Sequence, residues 1–370
     1  WALRLLERAK ALSRAGAATE AWRALRDAAR ASASYRTLCA VDRLLGQWKA
    51  EERVPAKRHC RIALLGSTTL DLWLPVLRAA CLAGDIDAEI HIGAFGQYVQ
   101  EILDPQSPLV AFAPQVVIIA ADWRALALPD EVDDAAAVAQ AKVAELRGLW
   151  RQARDRLGAF VIQHDFEIPA AEPYGRLSAS LAGGRARVLQ RINLGLWEVA
   201  QDEAGVAILD LEQVASTYGK ARWHDPALWH AARQYPAPEA LPALARRQVA
   251  LLRAILGLSA KGLVLDLDGI LWGGVIGEEG LAGITLGGSG PGEAFVAFQR
   301  YVQSLARRGV ILAVCSKNNE EEAKLPFQAH PEMVLSLDDI ALFVANWRPK
   351  DENVRLIAET LSIGIESLVA

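Results

Sequence analysis

The sequence predicts a two-domain α/β protein in which one parallel-sheet domain follows another, behind a helical N-terminal segment. Three observations carry that expectation. Short apolar runs of strand length alternate with longer helical stretches from residue 58 onward. The alternation stops at Gly257-Leu258-Ser259-Ala260 and then starts again. A chain of 370 residues also suffices for two cores, at roughly 150 residues per domain. The expected boundaries are 1–57 for the helical segment, 58–257 for the first sheet domain and 258–370 for the second.

Each element has its own warrant. Leu38, Val41, Leu44, Leu45 and Trp48 recur at helical spacing, so residues 1 to about 52 read as helices packing on a neighbouring domain, with docking to a partner as the alternative. Strands are expected at Ile62–Leu65, Glu89–Ile92, Val116–Ala120, Phe160–Ile162 and Val206–Leu209. Leu72–Leu82, Ala135–Leu157 and Leu177–Ala200 supply crossover helices. Ligands of such sheets bind outside the strands' carboxyl ends, here the loops starting at Gly66, Gly93 and Ala121. The second series runs Leu263–Leu265, Val310–Val314, Met333–Leu335 and Ser367–Val369. Between its first two strands, Gly287-Gly288-Ser289-Gly290-Pro291-Gly292 reads as a turn capping a helix that starts near Glu293, or as a phosphate contact.

Composition narrows the classes. With 52% hydrophobic and 23% charged residues the chain is globular, and a net charge of −4 without a basic stripe argues against nucleic acid. Pro114 and Gln115 interrupt the most apolar stretch, 108–123, so it is too short to span a bilayer. Cys39, Cys60, Cys81 and Cys315 lie far apart without CxxC spacing, and no signal peptide precedes them, so a reduced, cytoplasmic protein is expected. Trp1 at the start and the apolar Val369-Ala370 at the end suggest a piece of a longer chain. No GxxxxGK[ST] is present, which removes the usual ATP-hydrolysing loop.

The sharpest chemical signal is Leu263-Val264-Leu265-Asp266-Leu267-Asp268-Gly269. Residues i and i+2 of a strand share a face, so both carboxylates can look into one cleft, where a cation such as Mg²⁺ would offset their repulsion. Asp266 is typed as a nucleophile toward phosphorus and Asp268 as the acid and base. Ser316, at the end of a strand, and Lys350, after Trp347-Arg348-Pro349, are candidate donors for the phosphoryl oxygens.

This ordered set resembles motifs one to three of the haloacid dehalogenase superfamily. The strings Asp268–Gly277, Cys315-Ser316-Lys317-Asn318-Asn319, His330–Leu335 and Ala345–Lys350 are similar to the FkbH-like subfamily in particular. The resemblance covers 258–370 and extends more loosely back to about residue 58. It implies Mg²⁺ held by the Asp266 carboxylate, the Asp268 carbonyl and an acid of a fourth motif, expected just after Val369. Gly269-Ile270 stands where the family usually has Asn-Thr.

In the first domain, Leu65-Gly66-Ser67-Thr68-Thr69 puts a serine after a strand, as a nucleophile or as a helix cap. Gly93 and Gly96 could bring backbone N–H groups to a substrate, and His224 is the candidate base, or else a structural histidine. Together these resemble altered SGNH-hydrolase blocks on a flavodoxin-like sheet, with Asp122 where an oxyanion-hole Asn is expected. Cys315 is the rival acyl carrier, although its strand position favours burial.

What the resemblance implies is an enzyme that takes a glyceryl unit from 1,3-bisphosphoglycerate. It would pass the unit to the phosphopantetheine thiol of an acyl carrier protein and remove the 3-phosphate, in a polyketide-type assembly line with flanking domains. The alternative is a loading domain with a degenerate phosphatase site that carries a non-phosphorylated unit such as lactyl.

Overall fold

A computed structural model describes residues 1–50, 54–288 and 290–370, apart from the side chain of Arg176. The end of the expected N-terminal helical stretch, at 51–52, and Ser289 of the glycine-rich turn lie outside the described residues. The chain divides into two compact units, Trp1–Leu256 and Gly257–Ala370.

Three helices open the first unit: α1 (Ala2–Arg14), α2 (Ala18–Ala31) and α3 (Tyr35–Lys49). The Ser34 hydroxyl starts α3 by accepting from Thr37 N. A stripe of Ala21, Trp22, Leu25, Ala28 and Ala29 gives α2 its buried face. Ion pairs fasten these helices to the sheet domain. Buried Asp42 of α3 takes Arg78 Nε and Nη2, both at 2.7 Å, and Arg78 belongs to helix α4 (Trp73–Ala83). Asp85, just after α4, takes Arg26 and Arg30 of α2, both at 2.9 Å.

The sheet of this unit comprises β1 (Arg58–Gly66), β2 (Ile86–Ile92), β3 (Val116–Ala120), β4 (Phe160–His164) and β5 (Val206–Leu209). All pair in parallel, in the order β2-β1-β3-β4-β5. All five expected strands are present, with longer bounds for three. On one face Ala63, Leu65, Val117, Ile119 and Val161 pack into a core with helices Ala135–Leu157 and Arg185–Ala200. Ile62, Leu64, Val116 and Ile118 alternate with them and are equally buried, as a sheet covered on both sides requires. Strand order reverses between β1 and β3, which makes the crevice there the expected ligand site.

The second unit holds β6 (Gly262–Leu265), β7 (Ile311–Ser316), β8 (Ile340–Ala345) and β9 (Leu368–Val369), parallel in the order β8-β7-β6-β9. One expected strand is corrected. Met333–Leu335 is not in the sheet; the fully buried Gln299 side chain occupies its backbone, accepting from Val334 N at 2.8 Å and Leu335 N at 3.3 Å. The strand lies later, at Ile340–Ala345. In the glycine-rich turn, Gly287 and Gly288 take φ of 73° and 69°, and the helix Gly290–Arg307 begins three residues earlier than Glu293.

Asp42→Ala leaves Arg78 without its carboxylate, although Arg78 is partly solvated. The loss is expected to be about 1–2 kcal/mol, read as a lower urea midpoint at unchanged m-value. No change would mean that apolar packing alone holds α3 on α4.

Candidate functional site

The second unit's site grows from β6. Its last residue, Leu265, is in register with Val314 of β7, so Asp266 and Ser316 leave neighbouring strands at the same edge. Both oxygens of Asp266 are engaged. Oδ1 accepts from Leu267 N at 2.9 Å and from Ser316 Oγ at 3.1 Å, while Oδ2 is paired with Lys350 Nζ. Lys350 is the first residue of helix Lys350–Thr360.

Asp268 is held more fully. Oδ1 accepts from Trp272 Nε1 (3.0 Å) and Ile276 N (3.1 Å), and Oδ2 accepts from Asn318 Nδ2 (2.8 Å). Asn318, a residue to which the sequence reading assigned no role, also reaches Ser316 Oγ at 3.1 Å and ties the two carboxylates' supports together. Four predicted residues, Asp266, Asp268, Ser316 and Lys350, therefore stand in one connected network. Cys315 does not join it. Its side chain lies on the other face of β7 among Val264, Ala313, Val344 and Ile357, and burial pushes its thiol pKa up, which disfavours the thiolate.

Ser67 sits in the bend that follows β1. The helix-cap reading of Ser67 is corrected, because α4 starts only at Trp73, behind Leu72. The Ser67 hydroxyl instead accepts from the backbone N–H of Asp122, at 2.9 Å across the β1–β3 crevice. Asp122 contributes its main chain to Ser67, while its buried carboxylate caps Arg124 N at 2.6 Å.

The two glycines do not offer free backbone donors together. Gly93 N is spent on Leu64 O at 3.0 Å, and a Cβ at Gly93 would meet Leu65 Cδ2 at 2.7 Å, so the need there is close packing. Gly96 is exposed at φ +70°. Its loop is closed by Glu101, which accepts from Ala94 N and pairs with His91.

Among the described residues His224 makes no hydrogen bond with Ser67, and its buried Nδ1 has no partner. Its ring centroid lies 5.9 Å from that of Tyr235, whose carbonyl accepts from Thr68 Oγ1 at 3.3 Å and Trp73 Nε1 at 3.2 Å. The residue after Ser67 is thereby pinned to the segment carrying His224. Burial, and then the charge of Arg124, lower the His224 pKa and keep the imidazole neutral.

Three further residues at the carboxyl edge of this sheet were not singled out from the sequence. Arg124 lies over both Trp229 and Trp123, 4.1 and 4.5 Å from their ring centroids. Burial raises Asp165 to about 7 despite donors from Leu211 N and Glu212 N, and raises Glu167 to about 8. The signal available was Gln163-His164-Asp165-Phe166-Glu167, a polar run directly at a strand's carboxyl end.

Comparison with known proteins gives the lineage. The profile described as FkbH, N-terminal domain, matches residues 61–253. The solved N-terminal part of a Bacteroides fragilis protein, containing a phosphatase domain complexed with Mg, is 32% identical. That match covers 88% of this chain and 87% of the other, at a TM-score of 0.78. A GDSL-like lipase from Bacteroides thetaiotaomicron matches at 13% identity, over 58% of this chain and 97% of its own, with a TM-score of 0.34, too low to bear on fold or chemistry. No curated protein matches the chain.

Glu167 provides a test of the electrostatics. A carboxyl whose folded pKa lies near 8, against an ordinary value near 4.5, binds an extra proton in the native state between those limits. Its penalty on stability therefore grows as pH rises through that window and is complete above about pH 8. Glu167→Gln is expected to raise the melting temperature by at least about 3 °C at pH 8 and hardly at all at pH 4.5. An equal gain at both pH values would show that the carboxyl is not held protonated.

Proposed function

Because the chain belongs to the FkbH family, we propose that it loads a glyceryl unit from 1,3-bisphosphoglycerate onto the phosphopantetheine thiol of an acyl carrier protein and removes the 3-phosphate. The observation that carries this reading is the joined network of Asp266, Asp268, Ser316 and Lys350, with both Asp266 oxygens oriented.

Dephosphorylation follows from that network. Asp266 attacks phosphorus, the bond from phosphorus to the glyceryl oxygen breaks, and Asp268 gives that oxygen its proton. Water activated by Asp268 then cleaves the aspartyl-phosphate and releases inorganic phosphate. Asp268 Oδ2 has a single donor and so keeps a lone pair for the proton. Lys350 and Ser316, already on the nucleophile, would hold the transferred group's oxygens.

The solved relative carries Mg. The Asp266 carboxylate and the Asp268 carbonyl would be the donors here, and among the described residues no group of three or more His, Cys, Asp or Glu could hold a metal. These residues do not complete an octahedral oxygen shell.

Acyl transfer is assigned to the Ser67 turn. The pantetheine thiol attacks the carbonyl carbon of the acyl phosphate while the Ser67 hydroxyl, whose oxygen accepts from Asp122 N, donates to the carbonyl oxygen; a carbon–sulfur bond forms, and the bond to the phosphate oxygen breaks. Neutral His224 takes the thiol proton. An acyl phosphate is already activated, in keeping with the missing nucleotide loop.

Asp266→Asn should leave transfer intact and block dephosphorylation. Intact-mass measurement of the carrier protein is then expected to find the phosphoglyceryl form, one phosphate heavier than the wild-type product. An unmodified carrier protein would separate this chain from loading altogether.

Ser67→Ala is expected to slow loading by roughly 10²-fold or more, whereas Cys315→Ala should load normally with a lower melting temperature. The reverse pattern would move acyl transfer to Cys315.

A further inference from the structure

Among the described residues, eight buried side-chain nitrogen or oxygen atoms lack a hydrogen-bond partner. Seven belong to Arg124, Glu167, Glu172, Ser178, Arg185, His224 and Gln234, in the segments that follow β3, β4 and β5 at their carboxyl ends. Native interiors rarely tolerate such atoms, and a cluster of them marks a place where something else supplies the bonds. A cavity of about 680 Å³, lined in part by Ile168, Glu172, Ser178 and Arg187, opens in the same stretch.

Two of the orphans are guanidinium nitrogens, Arg124 Nη1 and Arg185 Nε. Both groups lie against the indole of Trp123, at 4.5 and 5.1 Å from its centroid, and Arg124 also lies over Trp229 at 4.1 Å. The two cations are near enough for Arg185 to lower the Arg124 pKa. Their acidic neighbours do not use up these donors. Asp122 Oδ2 stands 3.7 Å from Arg124 Nη1, Glu172 Oε2 stands 3.8 Å from Arg185 Nε, and Asp130 takes a different Arg185 nitrogen. Glu167, held protonated at neutral pH, is itself a potential donor.

Two cations against one indole, each with a buried N–H unspent, form a receptor for a doubly charged oxyanion. Asp122, two residues before Arg124, gives its N–H to Ser67. We propose that Arg124 and Arg185 grip a phosphate group of the acyl donor beside Ser67, fixing its carbonyl for attack; the proposal rests on acyl transfer occurring at that turn. Trp123 and Trp229 hold the guanidinium planes in place, so little side-chain entropy remains to be lost on binding.

The test is steady-state loading of a carrier protein by the full chain with varied acyl-phosphate donor. Wild type is compared with Arg124→Met, Arg124→Lys and Arg185→Lys. The donor KM is expected to rise roughly 10- to 100-fold in Arg124→Met, the scale of a lost charge-assisted pair, and less in the lysine variants. The KM for carrier protein and hydrolysis of an aryl phosphate at Asp266 should not change. An unchanged donor KM in the folded lysine variants overturns the proposal. So does an increase confined to the carrier-protein KM, which would assign the cations to the phosphodiester of the pantetheine arm. Calorimetric titration with 3-phosphoglycerate, in a Lys350→Ala background lacking the other phosphate-facing cation, reads binding without turnover. Binding there should weaken roughly 10- to 100-fold on adding Arg124→Met and less on adding Arg124→Lys; equal affinity with and without Arg124 overturns the proposal. If wild type loads nothing, the functional reading has failed and the titration alone decides the site.

Discussion

Parallel pairing is the constraint from which the rest of this molecule follows. When every strand of a sheet points the same way, all its carboxyl ends meet at one edge, and residues far apart in the chain are delivered to one place. Asp266 and Ser316 become neighbours because Leu265 and Val314 are in register. Ser67 meets the Asp122 amide because Gly66 pairs with Ala120. Each unit repeats this arrangement, with burial of both sheet faces stabilising it and the polar edge left for chemistry.

The two edges differ in how charge is managed. At the Asp266 edge all four carboxylate oxygens of Asp266 and Asp268 have partners, and the network is closed by Asn318 and Lys350. At the Ser67 edge Asp165 and Glu167 are buried with pKa values raised to about 7 and 8, and Arg124 is kept among aromatic rings. Such an arrangement costs stability, and the intact cores on both faces of the sheet are what offset it.

Legibility in the sequence followed the range of the interaction. Strands β1, β3, β5 and β6 were readable because apolar runs ended by Gly, Ala or Asp carry their own punctuation, and Asp266–Asp268 were readable because a period of two fixes their face. Met333–Leu335 has the composition of a strand, yet its amides are claimed by Gln299, a contact across more than thirty residues that no local pattern announces. Ser67 stayed open between nucleophile and cap because the distance to the next helix cannot be read from residue type. Arg124, Glu167 and Arg185 come from three separate segments, and their chemistry arises only from burial beside one another. Asn318 was in view within Cys-Ser-Lys-Asn, but its reach to Asp268 depends on a turn that only the fold defines.

The ion pairs of Asp42 and Asp85 bear on how such a protein can be moved between hosts. A recombinant boundary drawn at residue 57, where the first strand begins, would strip Arg26 and Arg30 from Asp85 and Asp42 from Arg78. It would also uncover the apolar side of α4 against which α2 and α3 pack. A transplanted module cut there would leave Asp85 with the more distant Arg253, at 3.9 Å, and would carry a sticky face. The portable piece is therefore larger than the sheet domain and includes the helices from Ala18 onward.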